Sequence, residues 1–441
     1  MLTPEQLAAA TSRAERVFVT AGPGSGKTLT LAARIAHLVE GGADPRTIIA
    51  YVFTRAGAAG LRRHVERMHP AAAGVTITTF HAWAAERVVP SKMRVATPIE
   101  ELALVDSCYS GPTRITGRWM PGRTELVRQI VEHEAHVGGD RRGVGVLIGR
   151  AWEAGLVPTW NLVPRLYPWI ESTLDSYDHI LVDESQDCTS REASLCAALY
   201  NRSLFTVGDP RQAIMGFRGG SPESWDDMQD VERHILTRTF RFGRWIAAAA
   251  NRHALRFGGD AIVGSDAEGH VALCADLAVE VAASPPDAAV LCRTNWECEA
   301  IAGELASVEH VTRDPLDPFG SAADRFADVA ARGRIPVATV HTAKGREWDR
   351  VILPMDLSRD EKDPEWLRVG YVAITRARKA VVFVPELMRQ GSPRRSPGPV
   401  VIGGLRDGAD LYSTGGAPDY PNLGNESTGA PSGSFNQRGP E

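Results

Sequence analysis

The apolar run Arg16-Val-Phe-Val-Thr20 leads straight into Ala21-Gly22-Pro23-Gly24-Ser25-Gly26-Lys27-Thr28 and then into the helical pattern LTLAARIAHLV. Few sequence features restrict a fold more. A strand, a loop of small residues and a helix in that order form the phosphate-binding unit of a parallel α/β sheet. The small residues let backbone N–H groups wrap phosphate oxygens, Lys27 supplies a point charge, and the Thr28 hydroxyl suits Mg²⁺. Ala21 stands where the first glycine of this pattern is usual. The expected ligand is a nucleoside triphosphate with Mg²⁺.

Eight further apolar, β-branched runs recur between Ala-rich helical stretches: TIIAYVFT, VTITTF, HILVDE, LFTVGD, AAVLCRT, VATVHT, RVILPM and AVVFVP. Nine strands spaced by helices predict an α/β protein with two parallel sheets, and chemistry at the carboxyl ends of the strands. Residues 88–165 break the rhythm. They hold Trp119, Trp152, Trp160 and seven arginines between Arg114 and Arg150 without a clear strand run, which predicts a mostly helical insertion. From about residue 388 the chain turns to Gly, Pro, Ser and Asn, the composition of a disordered tail. The expected organisation is a first α/β domain from 1–87 and 166–236, the insertion at 88–165, a second α/β domain at 237–387 and the tail at 388–441.

The run His179-Ile-Leu-Val182 ends in Asp183-Glu184. Paired acids at a strand end beside a phosphate loop place one carboxylate on Mg²⁺, here Asp183, and leave the second, Glu184, to activate water as general base. Hydrolysis is therefore expected, beyond binding alone.

Composition narrows the setting. The chain has 441 residues, a net charge of -5 and 43% hydrophobic residues, which excludes a collagen-like or wholly disordered protein. No apolar run approaches the roughly 18–20 residues of a membrane span, and the opening MLTPEQLAAATSRAER lacks a secretion-signal layout. The six cysteines form no CxxC pair, so a reduced, cytoplasmic setting is expected, with no membrane partner. An acidic whole is compatible with a local basic groove for nucleic acid.

The remaining motifs, in order, resemble superfamily 1 helicases of the UvrD/Rep/PcrA type. Leu2-Thr3-Pro4-Glu5-Gln6 is similar to the adenine-reading Q motif, with Gln6 as reader. Phe53-Thr54-Arg55 is similar to motif Ia, and Thr79-Phe80-His81 to an element that touches single-stranded DNA. Val207-Gly208-Asp209 through Gln212, Phe217, Arg218 and Gly219 resembles motif III, in which Gln212 senses the γ-phosphate and Phe217 stacks on a base. Thr239-Phe240-Arg241 sits where the family has an adenine-stacking aromatic and an arginine finger. His341-Thr-Ala-Lys344-Gly345-Arg-Glu347 resembles motif V, with His341 toward DNA and Gly345 and Glu347 toward the nucleotide. Tyr371-Val-Ala-Ile-Thr375-Arg376 resembles motif VI, with Arg376 as second finger.

The resemblance covers roughly residues 1–386. It implies two RecA-like motor domains, ATP and Mg²⁺, and single-stranded DNA or duplex junctions as partner. It also implies 3′-to-5′ movement in replication, repair or recombination.

Departures from the pattern keep other readings open. The family's second insertion is essentially missing between Asn295 and Val340, Met215 replaces an aromatic, and Leu29 stands where relatives often have Arg. A translocase with little unwinding of its own, working with a nuclease or repair protein, is the first alternative. A nucleic-acid-sensing ATPase in a defence assembly is the second.

Overall fold

All nine apolar runs are strands of two main sheets in this computed structural model, which describes residues 2–107, 114–115, 118–119, 130, 133, 142–172, 176–216, 219–257, 260–312, 323–355, 364–384 and 400–401. In chain order, β1 (Arg16–Ala21), β2 (Ile48–Tyr51) and β3 (Thr76–Thr78) open the first sheet. β4 (Arg94–Val95), β5 (Arg114–Ile115), β6 (Arg118–Trp119) and β7 (Leu156–Val157) lie in the insertion. β8 (Tyr177–Val182), β9 (Tyr200–Gly208) and β10 (Val231–Leu236) complete the first sheet, which is parallel throughout in the order β10-β1-β9-β8-β2-β3.

β11 (Arg238–Gly243) and β12 (Val263–Ser265) form a parallel pair, and β13 (His270–Leu273), β14 (Ala288–Cys292), β15 (Val308–His310), β16 (Ile335–Thr339), β17 (Trp348–Leu353) and β18 (Ala377–Phe383) build the second parallel sheet. Its order is β15-β16-β14-β17-β18-β13, with β19 (Val400–Val401) added antiparallel at the end. Both sheets lie in one compact unit, Met1–Ile402. Apart from β19, the expected tail lies outside the described residues.

Each sheet is buried on both faces, which is why its strands read as apolar runs. Along β1 and β2, Val17, Val19, Ile48 and Ala50 face a cluster containing Leu31, Ile35, Leu61 and Val65. Those four come from α2 (Lys27–Glu40) and α3 (Arg55–Met68). Ile49 and Tyr51 face the opposite cluster, with Phe80 and Trp83 of α4 (Phe80–Val88). Phe80 stacks on Tyr51 with ring centroids 4.1 Å apart. The second sheet alternates in the same way, with Ala289 and Leu291 on one side and Ala288, Val290 and Cys292 on the other.

Among the described residues the insertion is mostly helical, as expected, with helices Pro98–Ser107 and Arg142–Glu153 and the start of Leu162–Ser172. It contains two short ladders, β4 with β7 and β5 with β6, each two residues long and too short to show an alternating pattern. Its small core includes Val144, Leu147 and Trp160, so Trp160 is structural. Trp152 is exposed, with the Arg165 guanidinium 4.7 Å from its ring centroid. No helix among the described residues is long and apolar enough to cross a membrane.

Candidate nucleotide site and nucleic-acid edge

The phosphate loop leaves β1 and enters α2 through Gly24 at φ +72 and Gly26 at φ +86, a backbone that favours glycine. Both positions are also sterically closed. A Cβ on Gly26 would lie 2.5 Å from Gln6 Nε2, and one on Gly24 would lie 2.5 Å from Arg241 Cβ. Gly26 caps α2 without a side chain, which leaves the first amides of the helix directed into the loop. Lys27 Nζ donates to Ala21 O at 3.2 Å.

Gln6 is buried in α1 (Pro4–Ala10), and its amide is committed locally: Nε2 donates to Ser25 O at 2.8 Å, and Oε1 accepts from Thr3 N at 2.9 Å. The residue taken as adenine reader therefore braces the loop. Phe240, taken as the adenine-stacking ring, is 55% exposed at the loop's other side, and its backbone N–H donates to Gly24 O at 2.9 Å.

Asp183 and Glu184 end β8 in a cleft of about 580 Å³ that Lys27, Thr28, Gln212, Arg241, Lys344 and Arg376 also line. Glu184 has φ +50, a left-handed conformation in a non-glycine residue, which costs of order 1–3 kcal/mol and turns its side chain off the strand. Gln186 Nε2 donates to Glu184 Oε2 at 2.8 Å. Burial alone would raise the Glu184 pKa, but Lys27, Lys344 and the Gln186 amide outweigh it and hold the carboxylate below its usual range. Burial and the adjacent Glu184 charge push Asp183 upward against Lys27.

The Thr28 hydroxyl and Asp183 carboxylate are hard oxygen donors in one cleft, which fits Mg²⁺ sharing its remaining positions with water and phosphate oxygens. Among the described residues no larger group of metal-ligating side chains occurs.

The second domain brings two guanidinium groups to the same cleft. Arg241 pairs with Glu347 at 2.6 Å and donates from Nη1 to Thr375 O at 2.9 Å, while its buried Nε has no partner in the structure. An orphaned guanidinium N–H beside the phosphate loop fits an incoming anion. Arg376 is buried, donates from Nε to Val372 O at 3.1 Å, and reaches Gln212 Oε1 with Nη2 at 3.2 Å. Burial and the neighbouring Arg241 charge lower its pKa to about 9, which leaves it cationic at neutral pH.

Three residues quoted in the motifs without a role of their own join this network. Fully buried Asp209 accepts from Arg211 Nε at 2.7 Å, Gln212 Nε2 at 3.0 Å and Tyr371 Oη at 3.0 Å. Tyr371 and Arg376 lie on and just beyond helix Pro364–Ile374, so one element of the second domain holds both ends of the Asp209–Gln212 pair. Lys344 crosses the cleft to Asp187 Oδ2 at 2.6 Å and to Gln212 O at 2.8 Å.

Replacing Tyr371 with phenylalanine is expected to destabilise the protein by about 1.5–3 kcal/mol, because the lost donor served a buried charge. Chemical denaturation of the two proteins measures it, and an unchanged midpoint and slope would count against the assignment.

A smaller cavity of about 40 Å³ opens beside the cleft, lined by Phe53, Thr79, His81 and Met215 among others. Phe53 is exposed, and Thr54 and Thr79 cap α3 and α4 by accepting from Gly57 N and Ala82 N. Their hydroxyl protons remain available to donate. Arg55 is exposed at the start of α3. His341 stands at the end of β16 on the helical turn Val340–Ala343, capped by Thr339, and Gly345 follows in the left-handed region at φ +85. Phe217 and Arg218 lie outside the described residues.

Residues 2–116 and 161–231 match the UvrD/REP helicase N-terminal domain family, and residues 335–384 match the UvrD-like helicase C-terminal domain family. The chain is 25% identical to a probable DNA helicase of Mycoplasma pneumoniae over 87% of its own length and 83% of the relative's. It is 26% identical to DNA helicase IV of Escherichia coli and 25% identical to the ATP-dependent DNA helicase PcrA of Staphylococcus epidermidis, each over 57% of this chain. Of those two proteins it spans 46% and 39%, less than half of each.

Proposed function

The chain has the superfamily 1, UvrD/PcrA-like helicase domain architecture, and on that premise we propose that it is an ATP-driven motor on single-stranded DNA. The observation that carries this reading is convergence. Lys27, Asp183 and Glu184 from the first domain and Arg241 and Arg376 from the second line one cleft, with a candidate DNA-base cavity beside it.

In the proposed cycle the loop amides and Lys27 bind the triphosphate, while Thr28 and Asp183 hold Mg²⁺. When bound, Mg²⁺ would neutralise phosphate charge. Glu184, kept ionised by its cationic neighbours, takes the proton of the attacking water. Arg241 exchanges Glu347 for the γ-phosphate, and Arg376 approaches it with its orientation fixed by Gln212. Gln212 thereby acts on the γ-phosphate chiefly through Arg376, since both ends of its amide are already engaged.

Bases stack on the edge formed by Phe53, His81 and Met215, with Thr54, Arg55 and Thr79 toward the backbone. The second domain repeats this layout. Thr294 caps helix Asn295–Glu304 after β14 as Thr54 caps α3 after β2, and Thr339 caps a turn after β16 as Thr79 caps α4 after β3. Trp296, 72% exposed just past Thr294, and His341 are the base-facing groups of that half. Trp296→Ala is expected to weaken binding of a short oligothymidylate by about 1–3 kcal/mol, read by fluorescence anisotropy. An unchanged affinity would remove Trp296 from the path.

Movement from 3′ to 5′ follows the resemblance of motifs V and VI, with replication, repair or recombination as the setting and a cytoplasmic location. The second reading, a translocase or sensing ATPase that relies on a nuclease or defence partner for strand processing, has one specific support. Between β14 and β16 the described residues supply only helix Asn295–Glu304, β15 and helix Ala323–Ala331, which leaves little for a second insertion.

Steady-state ATP hydrolysis with and without single-stranded DNA, across a salt series, tests the proposal. Stimulation that fades with salt is expected. Hydrolysis indifferent to DNA would overturn it, and a forked-duplex assay then separates unwinding from translocation.

A further inference from the structure

Beyond Arg55, helix α3 carries a feature that the cleft and its adjoining edge do not use. At 100° per residue, Arg55, Arg62, Arg63 and Arg67 fall within an arc of about 140°, opposite buried Leu61 and Val65. All four are exposed, and the only acid among them is Glu66.

Many exposed arginines of this protein are neutralised locally: Arg46 by Asp44, Arg94 by Glu100, Arg238 by Asp266, Arg332 by Glu309. Among the described residues, Arg55, Arg63 and Arg67 have no such partner, while Arg62 donates from Nη2 to Ile77 O at 3.0 Å on the sheet's terminal strand β3. A row of guanidinium groups without carboxylate partners on one helix face is a local positive stripe in a chain of net charge -5, and suits a polyanion.

The position is as informative as the charge. The row begins next to Phe53 at the carboxyl edge of the first sheet and runs down the outer rim of the domain for about 18 Å, the length of twelve helical steps. That distance spans roughly five phosphates at the 3.4 Å spacing of one B-form strand, and fewer in a stretched strand. The row offers no exposed aromatic ring for stacking, so it suits a backbone and not bases.

We propose that the arginine face of α3 is a second nucleic-acid contact: a track for the sugar–phosphate backbone of the strand beyond the point where its bases leave the Phe53 edge. The inference rests on the single-stranded DNA reading above and extends the bound length beyond the two domain edges.

The test compares oligothymidylates of roughly 8 and roughly 20 nucleotides, lengths that bracket ordinary single-strand site sizes. Binding to the wild type and to R63Q/R67Q is measured by anisotropy across a salt series. The wild type is expected to bind the longer oligomer more tightly and with the steeper salt dependence. The variant is expected to lose that length advantage, with its log–log slope on the longer oligomer reduced by about 1.4, or about sevenfold in affinity over a fourfold rise in salt. R63K/R67K, which keeps the charge, should restore the slope.

If both variants bind the longer oligomer as the wild type does, the track is overturned while the motor reading stands. If the wild type binds neither oligomer, the motor reading falls and the track with it.

Discussion

Replacing Arg376 with alanine is expected to lower DNA-stimulated ATP turnover by about 10³–10⁵-fold, the range for loss of an arginine that meets transition-state charge on a phosphoryl group. The structure argues for the upper part of that range. The guanidinium is buried, its pKa is pulled down, and its Nη2 is aimed by Gln212, itself clamped by Asp209. Such a group is poorly stabilised until an anion arrives, so its interaction strengthens as charge develops on the γ-phosphate. Lysine should not rescue it, because the Val372 and Gln212 contacts are made by different arms of a planar fork. The measurement is kcat at saturating ATP, with the melting temperature recorded alongside. A fall of less than tenfold in a folded variant would remove Arg376 from the chemistry.

The second large effect is on Glu184. Glu184→Gln keeps the shape of the side chain and its contact with Gln186, yet cannot accept a proton from water. Turnover is expected to fall about 10²–10⁴-fold, with ATP affinity unchanged or tighter because one negative charge has left the phosphate site. Single-turnover hydrolysis beside equilibrium binding of a fluorescent ATP analogue separates the two quantities. If hydrolysis persists near the wild-type rate, the base lies elsewhere. Asp187 is a poor substitute, since Lys344 holds both of its carboxylate oxygens.

Much of the fold is legible in the amino-acid sequence alone. A strand buried on both faces must be apolar at every position, so β1, β8, β9, β14 and β17 stand out as runs. The strands that do not stand out show the converse. β10 and β15 close the edges of their sheets, and their polar and charged residues leave no run to read. The four strands of the insertion, at two residues each, are below the length at which alternation carries information.

At the site, the legible residues are those tied to spacing along the chain: Lys27 and Thr28 after a strand, Asp183 and Glu184 at a strand end. Those defined by what faces them across the cleft are not. Asp187 and Tyr371 are ordinary residues of their segments until Lys344 and Asp209, 157 and 162 positions away, are brought opposite them. Gln6 shows a subtler limit. Its motif reads as an adenine contact, whereas in the structure its amide is engaged by Ser25 O and Thr3 N.

The path of the chain between the domains has a mechanical consequence. The passage from first to second domain runs through Thr237, Thr239 and Phe240, and each is tied to the phosphate-loop side: Thr237 to Glu5, Thr239 to Pro23 O, Phe240 to Gly24 O. Gly24 and Arg241 have no clearance for even one methyl group between them. Any rocking between the domains would therefore pivot beside the phosphate loop. In the proposed motor, movement of either domain would thus be transmitted directly to the phosphate loop.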